Sequence, residues 1–155
     1  MADELAVVGH SLTKPDAFAK VSGLTKFADD LALPRMLFGR ILRSPLPHAR
    51  ILSVDTTRAQ ALPGVLAVLT GEDLPIKFGI LPVSQDEEAL AGEKVRYVGD
   101  PVAAVAATDE WIADEALDLI DVQFKELPRY MSIEEASDGG EEPIHGKSNV
   151  HKAVA

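Results

Sequence analysis

The sequence predicts an α+β fold: one mixed sheet carrying two helices, assembled from two strand–helix–strand units. Three observations lead there. Apolar runs of strand length recur between Gly and Pro punctuation, two stretches have helical caps and spacing, and the order strand, helix, strand occurs twice, at 49–69 and 102–125. In the second unit about a dozen residues separate the strands, enough for a crossover returning to the same sheet. A chain of 155 residues, 46% hydrophobic and 26% charged, suits one ordinary core. Its aromatic content is only 5%, so that core must come from Ala, Val, Leu and Ile packed closely.

Residues 1–34 have no period of 2 or 3.6 and are broken by Gly9, Pro15, Gly23 and Pro34, which predicts an extended arm. The run 36–42 reads as a largely buried strand stopped by Ser44, Pro45 and Pro47. A strand follows at 49–54. Asp55 can then accept hydrogen bonds from the free N–H groups of a short helix, 56–62, which Pro63 and Gly64 end. The next strand is 65–69. Strands at 94–98 and 102–107 are joined by a turn at Gly99, Asp100 and Pro101. Thr108 or Asp109 caps a helix running to about Ile120. Ile112, Ala113, Ala116, Leu119 and Ile120 share one of its faces, while Glu110, Asp114, Asp118 and Asp121 form an acidic stripe on the other, read as a solvated surface. A strand at 122–125 and a helical turn at 133–137 complete the pattern. The expected organisation is an arm at 1–34, a domain at 35–137 and a polar linker at 138–155.

The absence of cysteine excludes disulfides, thiolate zinc sites and iron–sulfur ligation within this chain. A net charge of −10 opposes binding to nucleic acid. The charge is uneven, with eight Lys/Arg against six Asp/Glu in residues 1–60 and seven against nineteen in 61–155. The early basic cluster of Arg35, Arg40, Arg43 and Arg50 is ordinary edge charge on the plainest reading. Arg40, Arg43, His48 and Arg50 are nevertheless the candidate interface residues, with His48 as an exposed turn histidine able to orient a contact. No run approaches the roughly 20 apolar residues of a membrane span. Asp3 and Glu4 stand where a secretory signal would be basic, so a cytoplasmic location is expected.

Catalytic motifs are missing. Gly146-Lys147-Ser148 invites comparison with a phosphate-binding loop, but Glu141 stands where its first glycine should be. His10, His48, His145 and His151 are scattered without metal-ligand spacing. The acid pairs Glu87/Glu88, Glu134/Glu135 and Glu141/Glu142 each share one environment, whereas acid–base catalysis needs two. No Gly-x-Ser-x-Gly elbow occurs. No catalytic, cofactor-binding or metal residue is therefore expected in this chain.

Several strings are more specific than composition. Arg40-Ile-Leu-Arg-Ser-Pro-Leu-Pro-His-Ala-Arg-Ile51, Ala61-Leu-Pro-Gly-Val65 and Thr70-Gly-Glu-Asp-Leu74 come first. Lys94-Val-Arg-Tyr-Val-Gly-Asp-Pro-Val-Ala-Ala-Val-Ala-Ala107 and Val122-Gln-Phe-Lys-Glu-Leu-Pro128 follow in order. Together they resemble the start of the large subunit of molybdenum hydroxylases, the xanthine dehydrogenase and aldehyde oxidase family, over about residues 8–150. Leu46-Pro47 departs from the histidine and alanine more usual there.

The resemblance implies an α/β-hammerhead domain, which agrees with the two strand–helix–strand units. Gly79-Ile-Leu-Pro-Val-Ser-Gln-Asp-Glu87 and Leu127-Pro-Arg-Tyr-Met131 look most like the 4-hydroxybenzoyl-CoA reductase branch, in which a phenolic hydroxyl is removed reductively. For the parent enzyme the resemblance implies molybdopterin with molybdenum, iron–sulfur clusters and FAD. The implied partners are the cofactor domain of the same large subunit and an iron–sulfur subunit, with self-association when the chain is isolated. The family's cofactor contacts and catalytic glutamate have no matching position here, so the chain reads as a noncatalytic piece, truncated or separately encoded, of a larger enzyme. The alternative is an independent α+β small-molecule-binding module with a pocket near residues 78–83.

Overall fold

In the computed structural model, residues 7–80, 85–138, 140, 142–146 and 148–150 are described. The chain divides into two units, Met1–Met36 and Leu37–Ala155. Within the first, the expected extended course is interrupted by a single-turn helix α1 (Ala17–Val21) and a 3-10 turn at Ala28–Asp30. Ser22 Oγ donates to the Phe18 carbonyl at 2.6 Å and closes the helix locally. Neither element has a buried residue: Phe18, Val21, Leu24 and Phe27 are all more than half exposed.

In the second unit the elements follow in the order β1 (Phe38–Arg43), β2 (Ala49–Asp55), α2 (Thr57–Ala61), β3 (Val65–Thr70), β4 (Lys94–Val95), β5 (Pro101–Ala107), α3 (Glu110–Asp118), β6 (Asp121–Glu126) and α4 (Ile133–Ser137). Local chemistry explains the helix starts. Asp55 Oδ1 accepts from the Thr57 N–H at 2.9 Å, and hydrogen bonding from Thr57 holds the Asp55 carboxyl below its usual value. Asp109 caps α3 by accepting from the Trp111 N–H at 2.8 Å.

The α+β class is the one expected; the single mixed sheet is corrected. There are two three-stranded sheets, ordered β1-β5-β3 and β4-β2-β6, and every pairing is antiparallel. Each strand–helix–strand unit passes between them, β2 and β6 lying in the second sheet and β3 and β5 in the first. Spacing alone permits a crossover but does not choose the partner strand. Here β5 is flanked by β1 and β3, which run antiparallel to it. The strand expected at 94–98 is also shorter, because the Arg96 N–H leaves the ladder to donate to Asp100 Oδ2 at 2.8 Å.

Two apolar clusters hold the unit together. Ala103 and Val105 of β5 pack with Ala59 of α2, Ala116 of α3 and Ile120, all at most 8% exposed. Val102, the neighbour of Ala103, points the other way and packs with Ala49, Ala91 and Val95. Val54 and Val122 border both clusters and join them. Small side chains permit close approach elsewhere too: a Cβ on Gly71 would lie 2.5 Å from the Gly92 Cα, so no larger residue fits there without backbone movement.

Candidate functional site

The basic residues singled out by the sequence do not converge. Arg40, on the helix-facing side of β1, reaches the first turns of α3, where Nη2 donates to Glu110 and Nε donates to Asp114 Oδ1 at 2.6 Å. Hydrogen bonds to Glu110 and Asp114 raise the Arg40 pKa further above its usual value. The acidic stripe is therefore not a bare solvated face; two of its carboxylates tie α3 to the first sheet. Arg43 Nη1 donates to the Gly99 carbonyl at 2.9 Å. Arg50, on the second sheet, pairs with Glu142 at 2.6 Å.

His48 is corrected from an exposed turn residue to a buried one, 2% exposed. Its Nδ1–H donates to the Pro128 carbonyl at 2.6 Å, which leaves Nε2 buried as an acceptor without a partner. Burial is the largest influence and pushes its pKa down; Lys94 and Arg96 act in the same direction, against the Pro128 hydrogen bond and Glu142. The signal that misled was the flanking Pro45 and Pro47, which mark a turn but do not show that the segment at Pro128–Tyr130 packs against it.

A second constellation was seen in the sequence only as a turn. Ser44 and Asp100 are buried, and the Ser44 N–H donates to the Asp100 carbonyl at 2.9 Å while the Gly99 N–H donates back to the Ser44 carbonyl at 2.8 Å. Gly99 has φ 96°, which the turn requires and which glycine adopts without steric cost. This clasp borders a cavity of about 650 Å³ lined by Phe78, Glu88, Arg96, Tyr97, Asp100 and His145 among others. Residues 81–83 of the expected pocket lie outside the described residues, as do Glu141, Lys147 and His151.

The cavity's two inner carboxylates are shifted in opposite directions. Burial raises Asp100, outweighing its hydrogen bond from the Arg96 N–H. Burial would raise Glu88 too, but its ion pair with Lys77 at 3.0 Å and the Gly92 N–H hold it below the usual range. Such a split can mark an acid–base pair. Here each carboxylate is tied to main-chain N–H, and the described lining contains no serine, cysteine or lysine to act as a nucleophile. Among the described residues, no group of three or more His, Cys, Asp or Glu could hold a metal ion.

Comparison with known proteins places this geometry. Residues 22–128 match the family described as aldehyde oxidase and xanthine dehydrogenase, a/b hammerhead domain. The chain is similar to a probable xanthine dehydrogenase subunit of Bacillus subtilis, 45% identical over 146 residues that cover 92% of this chain and 19% of the relative. It is 40% identical over 154 residues to the nicotinate dehydrogenase large molybdopterin subunit of Eubacterium barkeri, covering 98% of this chain and 36% of the relative. The chain thus spans between about a fifth and a third of the length of these relatives.

Among solved structures, quinoline 2-oxidoreductase from Pseudomonas putida superposes with a TM-score of 0.75 at 38% identity, covering 85% of this chain and 18% of that one. An aldehyde oxidoreductase from Desulfovibrio desulfuricans superposes with a TM-score of 0.79 at 31% identity, covering 91% and 17%.

Proposed function

The chain belongs to the aldehyde oxidase and xanthine dehydrogenase a/b hammerhead family, and from that membership we propose that it acts as a noncatalytic structural domain of a molybdenum hydroxylase large subunit. The observation that supports this most is how the ionic candidates are used. Arg40, Arg43 and Arg50 each serve an internal contact, and His48 is buried, so these four candidate residues do not face a common point. A scaffold needs such contacts; a catalytic site needs them left open to substrate.

In this reading the domain packs against the cofactor domain and helps seat an iron–sulfur partner, in the cytoplasm. No helix in the described residues is long and apolar enough to cross a membrane. Molybdopterin with molybdenum, iron–sulfur clusters and FAD would belong to the whole enzyme. The donor set of this chain does not fit the iron–sulfur clusters, which need thiolate ligands: it has no cysteine, and its described residues form no metal-ligand cluster. Of the four candidate interface residues, Arg43 and Arg50 are exposed. Arg50 already has its carboxylate in Glu142, whereas Arg43 bonds a main-chain carbonyl at the rim of the first sheet and is the better placed to meet an acidic partner. The finer assignment is a 4-hydroxybenzoyl-CoA reductase-like enzyme, supported by residues 79–87 and 127–131. It would be overturned by an intact enzyme that fails to turn over that thioester with a low-potential electron donor.

Deletion and grafting test the scaffold role. Removing the matched region from the Bacillus subtilis relative should abolish accumulation of soluble large subunit, and grafting this chain in its place should restore it. A graft that never restores it, or turnover by the purified chain alone, would overturn the reading. The cavity beside Phe78 favours a second reading, a small-molecule-binding module. Its mark would be a ligand that raises the melting temperature of the isolated chain, with the effect lost in Phe78→Ala.

A further inference from the structure

The central strand of the first sheet, β5, is apolar on both faces, and helices α2 and α3 cover only one. An antiparallel sheet that meets water on one side alternates apolar and polar residues. β5, its central strand, reads Pro-Val-Ala-Ala-Val-Ala-Ala with no polar position. On the face away from α2 and α3, the second cluster closes the end at Val102. Beyond it, cross-strand register sets Ile41, Ala104 and Leu69 in one row and Gly39, Ala106 and Ala67 in the next. Ile41 is 44% and Leu69 40% exposed, and Leu66, at the bulge of β3, is 58% exposed.

The outer face of the second sheet is of the opposite kind. Lys94, Arg50 and Lys125 form one cross-strand row, and Ser53 and Gln123 pair in another. Like charges directly opposite destabilise a dry contact; here Arg50 pairs with Glu142, and Lys94 Nζ donates to the Pro143 carbonyl at 2.7 Å. One sheet is finished for solvent and the other is not.

We propose that the open face of the first sheet is where the rest of a molybdenum hydroxylase large-subunit polypeptide packs. This rests on the scaffold role above and names the surface that performs it. The two rows carry no charge, and Gly39, Ala67 and Ala106 leave a flat floor that lets a neighbouring layer approach closely. In the relatives the matched region is 19% or 36% of one polypeptide, so a covering segment is supplied in the same chain. Its effective concentration there exceeds that of a second copy.

Hydroxyl-radical footprinting of the grafted Bacillus subtilis subunit tests this, with Leu52 at the bulge of β2, 62% exposed, as internal reference. On their exposure in this structure, Ile41 and Leu69 should react nearly as fast as Leu52. Covered by the rest of the subunit, they should react about tenfold slower, as residues at a packed interface core do. Footprinting the ungrafted relative at the aligned positions makes the same measurement if the graft does not fold. A soluble subunit in which Ile41 and Leu69 stay reactive while Lys125, exposed in this structure, is protected overturns the choice of face but leaves the scaffold role standing. Protection nowhere on the domain overturns both. Protection that disappears on dilution to monomers shows a second copy as the occupant and overturns the proposal.

Discussion

The two sheets have the same strand number and the same antiparallel pairing, yet they treat their outer faces differently. In the first, β5 is apolar at every position; in the second, β2 alternates, with Ile51 and Val54 turned inward and Arg50 and Ser53 outward. Backbone hydrogen bonding is alike in both, so architecture does not explain the contrast. The side chains do. A strand with apolar residues on both sides is stable in water only when both sides are covered, and the helices α2 and α3 cover one. The same domain thus carries one finished surface and one that needs a neighbour.

The largest expected effect separates the two faces of β5 itself. Ala103 is fully buried against α2 and α3, whereas Ala106 lies between Gly39 and Ala67 on the open face. Ala103→Leu should cost about 1–3 kcal/mol through overpacking, and Ala116→Leu, from the facing helix, a similar amount. Ala106→Leu adds the same atoms to the same strand and should stay within about 0.5 kcal/mol. Thermal melts of the three variants read this directly. Equal losses for Ala103→Leu and Ala106→Leu would mean that the outer face is already closed in the isolated chain.

This contrast also shows what the sequence could and could not convey. The Ala face of α3 and the Ala-rich strand 102–107 were legible because small residues at helical and strand spacing match only one kind of packing. Element positions followed from caps and breakers, with Asp55 and Asp109 where the helices needed them. Strand pairing was not legible, since nothing in residues 49–69 states whether the second strand joins the first or a different sheet. The burial of His48 and the pairing of Arg40 with Glu110 and Asp114 were hidden for a related reason. Both depend on residues 70 to 80 positions away in the chain, which no local window can supply.

A smaller effect should come from the second sheet, whose end is fastened by His48. Burial lowers the folded-state pKa of this imidazole below its ordinary 6.5. Between that lowered value and about 6.5 the unfolded chain binds more protons than the folded one, so stability must fall as pH falls through this window. The charged groups influencing the ring are Lys94, Arg96 and Glu142; the two cations add to the effect of burial, and the Glu142 carboxylate opposes it. The melting temperature of the wild-type chain should therefore drop between about pH 7.5 and about pH 5.5 by more than that of His48→Asn. Parallel curves for the two proteins would show that His48 is not the group that senses the change.

The smallest expected effect lies at the edge of the first sheet, where Arg40 meets α3. Asp114 is about half exposed, and Arg40 keeps Glu110 as a second partner when Asp114 is removed. Solvent screening makes such pairs weak. Asp114 also stands one turn from Glu110 and one from Asp118, and like charges at that spacing repel. Replacing it by Leu removes an attraction and two repulsions together, so the net change should be small. At low ionic strength the ion pair weighs more and Asp114→Leu should melt slightly below the wild type. In about 1 M salt, where the screening length shrinks to about 3 Å, the two curves should coincide. A loss as large as that of Ala103→Leu, unaltered by salt, would show that this side of α3 is buried, and that the acidic stripe is packed rather than fastened to the sheet by charge alone.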